Sequence, residues 1–544
     1  MGSKRVQAAA LFLLVVAAFW PAFWAGFVYD DPTFIVQNPR LTEPGGLGRI
    51  WMDGIPDEHY WPVTYTVLWV VRALWGAGPA GFHAVNIVLH AMNTVMLWLI
   101  LRRVGVSAAW LAAALFGLHP VHVESVAWAL ELKDVLSGLC VLAAFWTYLN
   151  YLDTRRYVWL TLTAVLFVTG MLSKSAVLPF PVALVIYHWW KARPWTLAEL
   201  APIAVLAVIG GAVATADVLA FQAANPDHFD LSPIDRVLVA SRAIWFYLAK
   251  LAWPVDLSPM YARWDVRAVA GWMSLAGVVA TVVAFAAATR RATNLRGLVA
   301  GGAFFAVMLL PTLGFIDFAW MKYAFVADRF QYLASIGPLA VAAAGIVWLE
   351  RGRTPNSRGL TPLQSFVPRA AASMLCVALG VLTLRQIALY ADEETFYRGI
   401  VARNPSSWAA HMNLGVALMA SDRAADAIPH HLQALALKPD LVEARVNLGA
   451  ARSALGQVDE AAADFVEAIR LRPRDPAIHD FLGIMRLRQG RLSEAVEQFQ
   501  QAVQLDPGYA SAHDNLAIAL DGVGRNAEAA THREIAARLR AGGK

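Results

Sequence analysis

The sequence predicts an all-α protein in two parts: a polytopic helical membrane body and, behind it, an α-solenoid of short helix pairs. Two observations carry this. The chain of 544 residues is 58% hydrophobic, above the roughly 45–50% of soluble domains, and its apolar runs of membrane-crossing character end near residue 390. After them a 34-residue period takes over. The composition changes at the same place: of 21 tryptophans only Trp408 lies in the tail. The predicted domains are therefore 1–395 and 396–544.

Apolar runs fall near 8–28, 83–101, 107–118, 135–152, 157–172, 176–190, 198–221, 269–289, 297–316, 333–349 and 370–389. Several are short against the usual 20 or so residues and must be thin, tilted or extended into loops. The first follows Lys4-Arg5 and has no small-residue cleavage site before Tyr29, so it reads as a retained span. A further run, 237–252, contains Arg242 and Lys250 and reads as an interfacial or re-entrant helix on the outer face. The net charge of +5 comes from short basic clusters such as Arg102-Arg103, Arg155-Arg156, Lys191/Arg193, Arg290-Arg291 and Arg351 to Arg369. These lie between apolar helices, as the positive-inside rule requires of cytoplasmic loops. They form no single basic groove, which excludes a nucleic-acid partner. Cys140 and Cys376 both sit in apolar segments, so neither a disulfide nor a metal site is expected. Eleven spans with an inside N-terminus put the tail outside, together with Asp30, Asp31 and the polar stretches HPVHVES (119–125), LELKD (130–134), LSKS (172–175) and FVADRF (325–330).

In the tail, Pro405, Pro439, Pro473 and Pro507 recur every 34 residues, as do Leu414, Leu448, Leu482 and Leu516, and Ala427, Ala461, Ala495 and Ala529. That helix–turn–helix period, with Gly415, Gly449 and Gly483 in the first helix, is the tetratricopeptide signature. The predicted units are 405–438, 439–472, 473–506 and 507–540. Such solenoids present concave surfaces to extended peptides, so an acceptor protein or peptide is the expected partner, with self-association as the alternative.

The first polar feature is FVYDDPTFIVQNP (27–39). Asp31 before Pro32 fits a helix N-cap. In an extended exit segment neighbouring side chains face opposite ways, leaving Asp30 to face a cavity. Asp30 and Asp31 are the catalytic candidates, Asp30 as general base and Asp31 as positioner, with exchanged roles open. Lys174, Arg329 and Lys133 on the same face read either as snorkelling anchors or as phosphate ligands that stabilise a phosphate leaving group. His119, His122 and Glu124 join them. H-x-x-H without a third ligand is a poor zinc site. Tyr60 in the first loop and the stripe His83, Asn86, His90, Asn93 complete the candidate pocket, the stripe serving either as hydrogen-bonding glue or as cavity lining.

YDD after the first span, HYWPVTYT, GFHAVNIVLHAMN, HPVHVESVAWALELKDVLSG, LSKS and ADRFQYLASIG occur in that order. They resemble the transmembrane O-mannosyltransferases that act on cadherins and their bacterial relatives with tetratricopeptide tails. The resemblance spans essentially the whole chain; its specificity lies in the order of the motifs. It implies a GT-C-like fold, a polyprenyl-phosphate sugar as donor substrate, no further cofactor, and catalysis by the acidic pair at Asp30 and Asp31. Where the family often has Lys-Glu this chain has Lys174-Ser175, and where it often has Glu-Arg or Asp-Arg it has Asp328-Arg329. The cadherin-directed members are longer, so their acceptor does not carry over. The high Ala and Arg content points to a bacterial inner membrane with a periplasmic site and an undecaprenyl carrier; in a eukaryote the site would be lumenal in the endoplasmic reticulum.

The expected function is an inverting glycosyltransferase moving a monosaccharide, mannose by the resemblance, to a protein hydroxyl on the outer face. The alternatives are a non-catalytic membrane scaffold or assembly factor carrying the repeats, and a flippase or transporter of lipid-linked sugars. The last needs polar groups through the whole bilayer, whereas these gather at one face.

Overall fold

The computed structural model describes residues 2–53, 60–224, 231–291, 295–352 and 362–542. It forms two compact units, Met1–Phe396 and Tyr397–Lys544. Among the described residues every regular element is helical. Of the basic stretch 351–369, residues 353–361 lie outside them.

In the first unit six helices are long and apolar enough to cross a bilayer: Lys4–Trp24, Pro79–Arg103, Ala129–Thr154, Leu197–Gln222, Val269–Thr289 and Ala370–Tyr390. Shorter apolar helices are Ala109–Leu118, Tyr157–Ser173, Ser175–Trp190, Arg296–Thr312 and Ile336–Leu349. Each overlaps one of the runs read from the sequence. The helix Pro233–Ala252 begins on a capping box of Ser232 and Asp235. It is amphipathic and buries Leu238, Val239, Ala243, Tyr247 and Leu251. Small residues let two helices approach closely, as expected where lipid supplies no hydrophobic drive: a Cβ on Gly301 would stand 3.1 Å from the Gly337 carbonyl oxygen.

Ala109–Leu118 is too short to span, reaching about 15 Å at 1.5 Å per residue. Pro120 prevents its continuation, and the chain then runs through short turns, Pro120–His122, Val123–Ala127 and Ala129–Glu131, before entering the long helix Leu132–Thr154. Residues 117–135 are all buried. Irregular backbone at this depth is tolerable only where protein satisfies its polar groups.

The second unit stacks helix pairs in register with the 34-residue period: Trp408–Ala420 with Ala424–Leu437, Val442–Ala454 with Val458–Leu471, Pro476–Arg488 with Leu492–Leu505, and Ala510–Gly522 with Asn526–Gly542. In the first three pairs the glycine of the first helix, Gly415, Gly449 or Gly483, lies under a ring from the second helix. A Cβ would meet the Phe465 ring at 2.9 Å from Gly449 and the Phe499 ring at 2.6 Å from Gly483. A polar pair repeats as well: His411 faces His430, Arg445 pairs with Asp464, His479 faces Gln498 and His513 faces His532. In the three histidine cases Nε2–H donates to the carbonyl of the repeat-opening proline, Pro405, Pro473 or Pro507. Leucine in place of Gly449 should therefore overpack the second pair and cost about 1–3 kcal/mol, read as earlier thermal unfolding and faster proteolysis of the tail; an unchanged melting profile would contradict this packing.

Candidate functional site

The helix Pro79–Arg103 supplies the frame. His83, Asn86, His90 and Asn93, at helical spacing on one face, are fully buried. His83 Nε2–H donates to the Gly26 carbonyl (3.3 Å). The Asn86 amide donates to the carbonyls of Val126, Trp128 and Ala129 (3.2–3.3 Å). His90 Nε2–H donates to Gly117 O, which leaves Nδ1 to accept from the Tyr332 hydroxyl at 2.8 Å. Asn93 donates to Val135 O and to the Tyr332 oxygen. The stripe is glue: it holds the irregular segment by its own carbonyls. His83 and Asn86 thus make the contacts of the first of the two roles the sequence left open for the stripe, hydrogen-bonding glue. The same holds for two other histidines. His119 Nε2–H donates to Leu251 O (3.0 Å) while its Nδ1 accepts from Val121 N; His122 donates to Phe116 O (2.7 Å) and faces Ser335 Oγ (3.0 Å). Both ring nitrogens of each histidine are thus engaged by protein groups.

The acidic pair does not lie in an extended segment. Tyr29 is left-handed (φ 56°), a conformation that costs a bulky residue about 1–2 kcal/mol, and Asp31 is right-handed helical. The turn sends the two carboxylates apart. Asp31 precedes Pro32 but makes no cap; it accepts from the backbone N–H of Val28 (3.1 Å) and of Leu130 (2.8 Å). Fully buried, it ties the first-span exit to the buried turn. Burial, then the neighbouring Asp30 charge, push its carboxyl well above the usual range, against the pull of those N–H donors. Asp30 is half-buried and accepts from Trp128 Nε1 at 3.0 Å.

Lys133, Lys174 and Arg329 come together, but not as open cations. They face Glu124, Glu131 and Asp134, and none of the six is more than 9% exposed. Lys133 lies 3.1 Å from Glu131, and Lys174 pairs with Asp134 and stands 3.6 Å from Glu131. The Arg329 guanidinium pairs with Glu124 and lies 3.2 Å from Glu131, while Arg329 N donates to Glu124 at 3.0 Å. Unpaired charge at this depth is too costly to bury, and here three acids balance three bases. Glu124 is one of these partners. Ser125 Oγ donates to Asp134 at 3.0 Å, and the negative charge lies in the first turn of its helix, where the macrodipole favours it. Both acids that face Lys174, Glu131 and Asp134, come from the LELKD stretch. Sequence reasoning missed Glu131 and Asp134, although their spacing around Lys133 was a visible signal.

Aromatic rings close the arrangement. The Arg329 guanidinium sits 3.9 Å from the Trp320 ring and 5.0 Å from that of Trp128. Lys133 lies over Trp61 at 5.0 Å. Tyr60, the expected pocket residue, turns away: its hydroxyl donates to Trp51 O (2.8 Å) and its N–H to Asp217 (2.9 Å). The loop reaches the cluster through Trp61 instead. A cavity of about 30 Å³ is lined by Asp134, Lys174 and Arg329 on its polar side and by Val177, Met308 and Leu333 from neighbouring segments. An acid and a cation cluster therefore lie on two sides of one indole, that of Trp128.

Residues 59–220 match the family model for dolichyl-phosphate-mannose-protein mannosyltransferases. Residues 394–442 and 446–510 match a tetratricopeptide-repeat model. The chain is similar to protein O-mannosyl-transferase Tmtc1 of Drosophila melanogaster, at 32% identity over 28% of this chain and 19% of the relative. It is likewise similar to TMTC1 of Mus musculus (35%; 23% and 15%). A protein O-mannosyl-transferase of Caenorhabditis elegans aligns more extensively, at 25% identity over 76% of this chain and 60% of its own length. The chain thus spans less than two thirds of each of these relatives. These matches agree in kind with the resemblance read from the motifs: a mannosyltransferase-like membrane part followed by a tetratricopeptide tail.

Two substitutions test the geometry. Lys174→Met strands Asp134 beside Glu131 and should cost about 3–5 kcal/mol; adding Asp134→Asn should recover a large part of that loss in a double-mutant cycle. Additive losses would contradict the pairing. Asp31→Asn turns one acceptor into a donor facing an N–H, and should cost about 1–3 kcal/mol. Asp30→Asn should leave the thermal midpoint nearly unchanged.

Proposed function

We propose that the chain is an inverting glycosyltransferase that moves a monosaccharide from a polyprenyl-phosphate donor to a hydroxyl of a protein acceptor at the outer face of the membrane, mannose being the sugar named by the relatives. The observation that carries this reading is the half-buried Asp30 hydrogen-bonded to the Trp128 indole, with Arg329 5.0 Å from the same ring. The acceptor oxygen attacks the anomeric carbon from the Asp30 side. As that bond forms, the bond from the anomeric carbon to the phosphate oxygen breaks and its electron pair leaves on phosphate. The hydroxyl proton passes to the Asp30 carboxylate. Phosphate is a good leaving group already, so charge stabilisation by Lys174 and Arg329 suffices without a protonating acid.

The balanced cluster shapes the binding step. A phosphate brings new negative charge, so it has to exchange partners with a carboxylate, and Asp134, which lines the cavity beside Lys174, is the nearest to hand. The cavity is about the size of one water, so donor entry requires the segments around Met308 and Leu333 to part. The repeats would present the acceptor; the outer face would be periplasmic in a bacterium and lumenal in a eukaryote. A non-catalytic scaffold is the competing reading, and the internal neutrality of the cluster is the observation in its favour.

The full chain, reconstituted with a polyprenyl-phosphate mannose and a Ser/Thr peptide and followed by mass spectrometry, should add one hexose to the peptide. Asp30→Asn should cut the rate by about 10²–10⁴-fold while donor KM stays close to wild type. Transfer undiminished in Asp30→Asn contradicts the base assignment, and no transfer from any donor favours the scaffold.

A further inference from the structure

Four rings form one group, and one of them, Trp128, donates its indole N–H to the Asp30 carboxylate. Tyr29 packs edge-to-face on Trp128 (5.4 Å between centroids), Trp320 (5.8 Å) and Tyr323 (6.3 Å), and Trp320 meets Tyr323 at 5.5 Å. The left-handed backbone at Tyr29 is what brings its ring into this group, and strained backbone of this kind persists where surrounding structure enforces it. Arg329 covers a face of Trp320 at 3.9 Å. Among the described residues the Trp320 indole N–H has no hydrogen-bond partner, although the residue is only 7% exposed, an unusual state for a buried donor. Tyr29, Asp30 and Tyr323 are half-buried, so the ring group stays open beside the carboxylate.

Apolar rings carrying one unsatisfied donor, next to a carboxylate, are the chemistry that recognises a pyranose: C–H faces for the rings, hydroxyls for the polar groups. A polyprenyl tail would leave the N–H unsatisfied. We infer that Tyr29, Trp320 and Tyr323 form the seat of the transferred sugar ring, with the Trp320 N–H donating to a sugar hydroxyl. The inference rests on the proposed donor and extends it: Lys174 and Arg329 read the phosphate, and the rings beside Asp30 read the sugar. It makes these residues selectors for lipid that is loaded over lipid that is spent.

Equilibrium binding to the full chain in nanodiscs, read by tryptophan fluorescence, compares a short-chain polyprenyl-phosphate mannose with the same lipid phosphate lacking sugar. Wild type should prefer the loaded lipid at least tenfold. Trp320→Phe, which keeps a ring under Arg329 but loses the N–H, should erase most of that preference without weakening the sugarless lipid. Tyr323→Leu should do the same, and Tyr323→Phe should retain it. Equal affinity of wild type for the two lipids, or a preference unchanged in Trp320→Phe and Tyr323→Leu, overturns the seat; so does equal weakening of both lipids, which would make the rings a site for the lipid itself. Because binding is read without turnover, a chain that selects loaded lipid yet transfers nothing would uphold the seat and refute the transferase reading.

Discussion

The membrane unit is organised by one constraint: between Leu118 and Leu132 the backbone abandons regular helix while staying buried. In hydrocarbon that would strand a row of carbonyls and N–H groups. The polar stripe on Pro79–Arg103 answers the carbonyls, with Asn86 alone serving three of them. Asp31 answers the N–H of Leu130. His119 and His122 anchor the turn to Leu251 and Phe116. Residues with the look of a catalytic set thus include a large group whose task is to make a buried turn affordable, and the turn in exchange delivers Trp128, Glu131, Lys133 and Asp134 to one point.

Electrostatics imposes the second condition. Six ionisable groups sit where water is scarce, and their pairing into three acids and three bases is what makes them tolerable. Such pairing is weak evidence for stability by itself, since apolar residues of the same size often do as well or better. Under the proposed function its value would lie in preorganised cations that can change partners: Lys174 and Arg329 would take up a lipid phosphate as Asp134 leaves Lys174.

Much of this was legible in the sequence. The runs of apolar residues and the 34-residue period marked both parts because each is a repetition imposed by a solvent or a stacking neighbour. The expectation that Asp30, Lys133, Lys174 and Arg329 share one face came from a parity count of eleven spans, one of which, Ala109–Leu118, is too short to cross by itself. What stayed hidden was decided by tertiary partners. Nothing local distinguishes Asp31 as an N-cap from Asp31 as a clasp for Leu130, 99 residues away. The left-handed turn at Tyr29, which parts the two carboxylates, has no glycine to announce it. The roles of His83, Asn86, His119 and His122 depended on which carbonyls the buried turn would bring to them. Tyr60 and Trp61 are neighbours in sequence, and only the folded contacts showed that Trp61 is the one that meets the cluster.

The most direct test of the account is an electron cryo-microscopy structure of the full chain with a non-hydrolysable polyprenyl-phosphate sugar analogue. The account predicts the phosphate between Lys174 and Arg329, with Asp134 withdrawn from Lys174 and the anomeric carbon facing Asp30. Density for the lipid phosphate elsewhere on the protein, with the Lys174–Asp134 and Arg329–Glu124 pairs undisturbed, would contradict it.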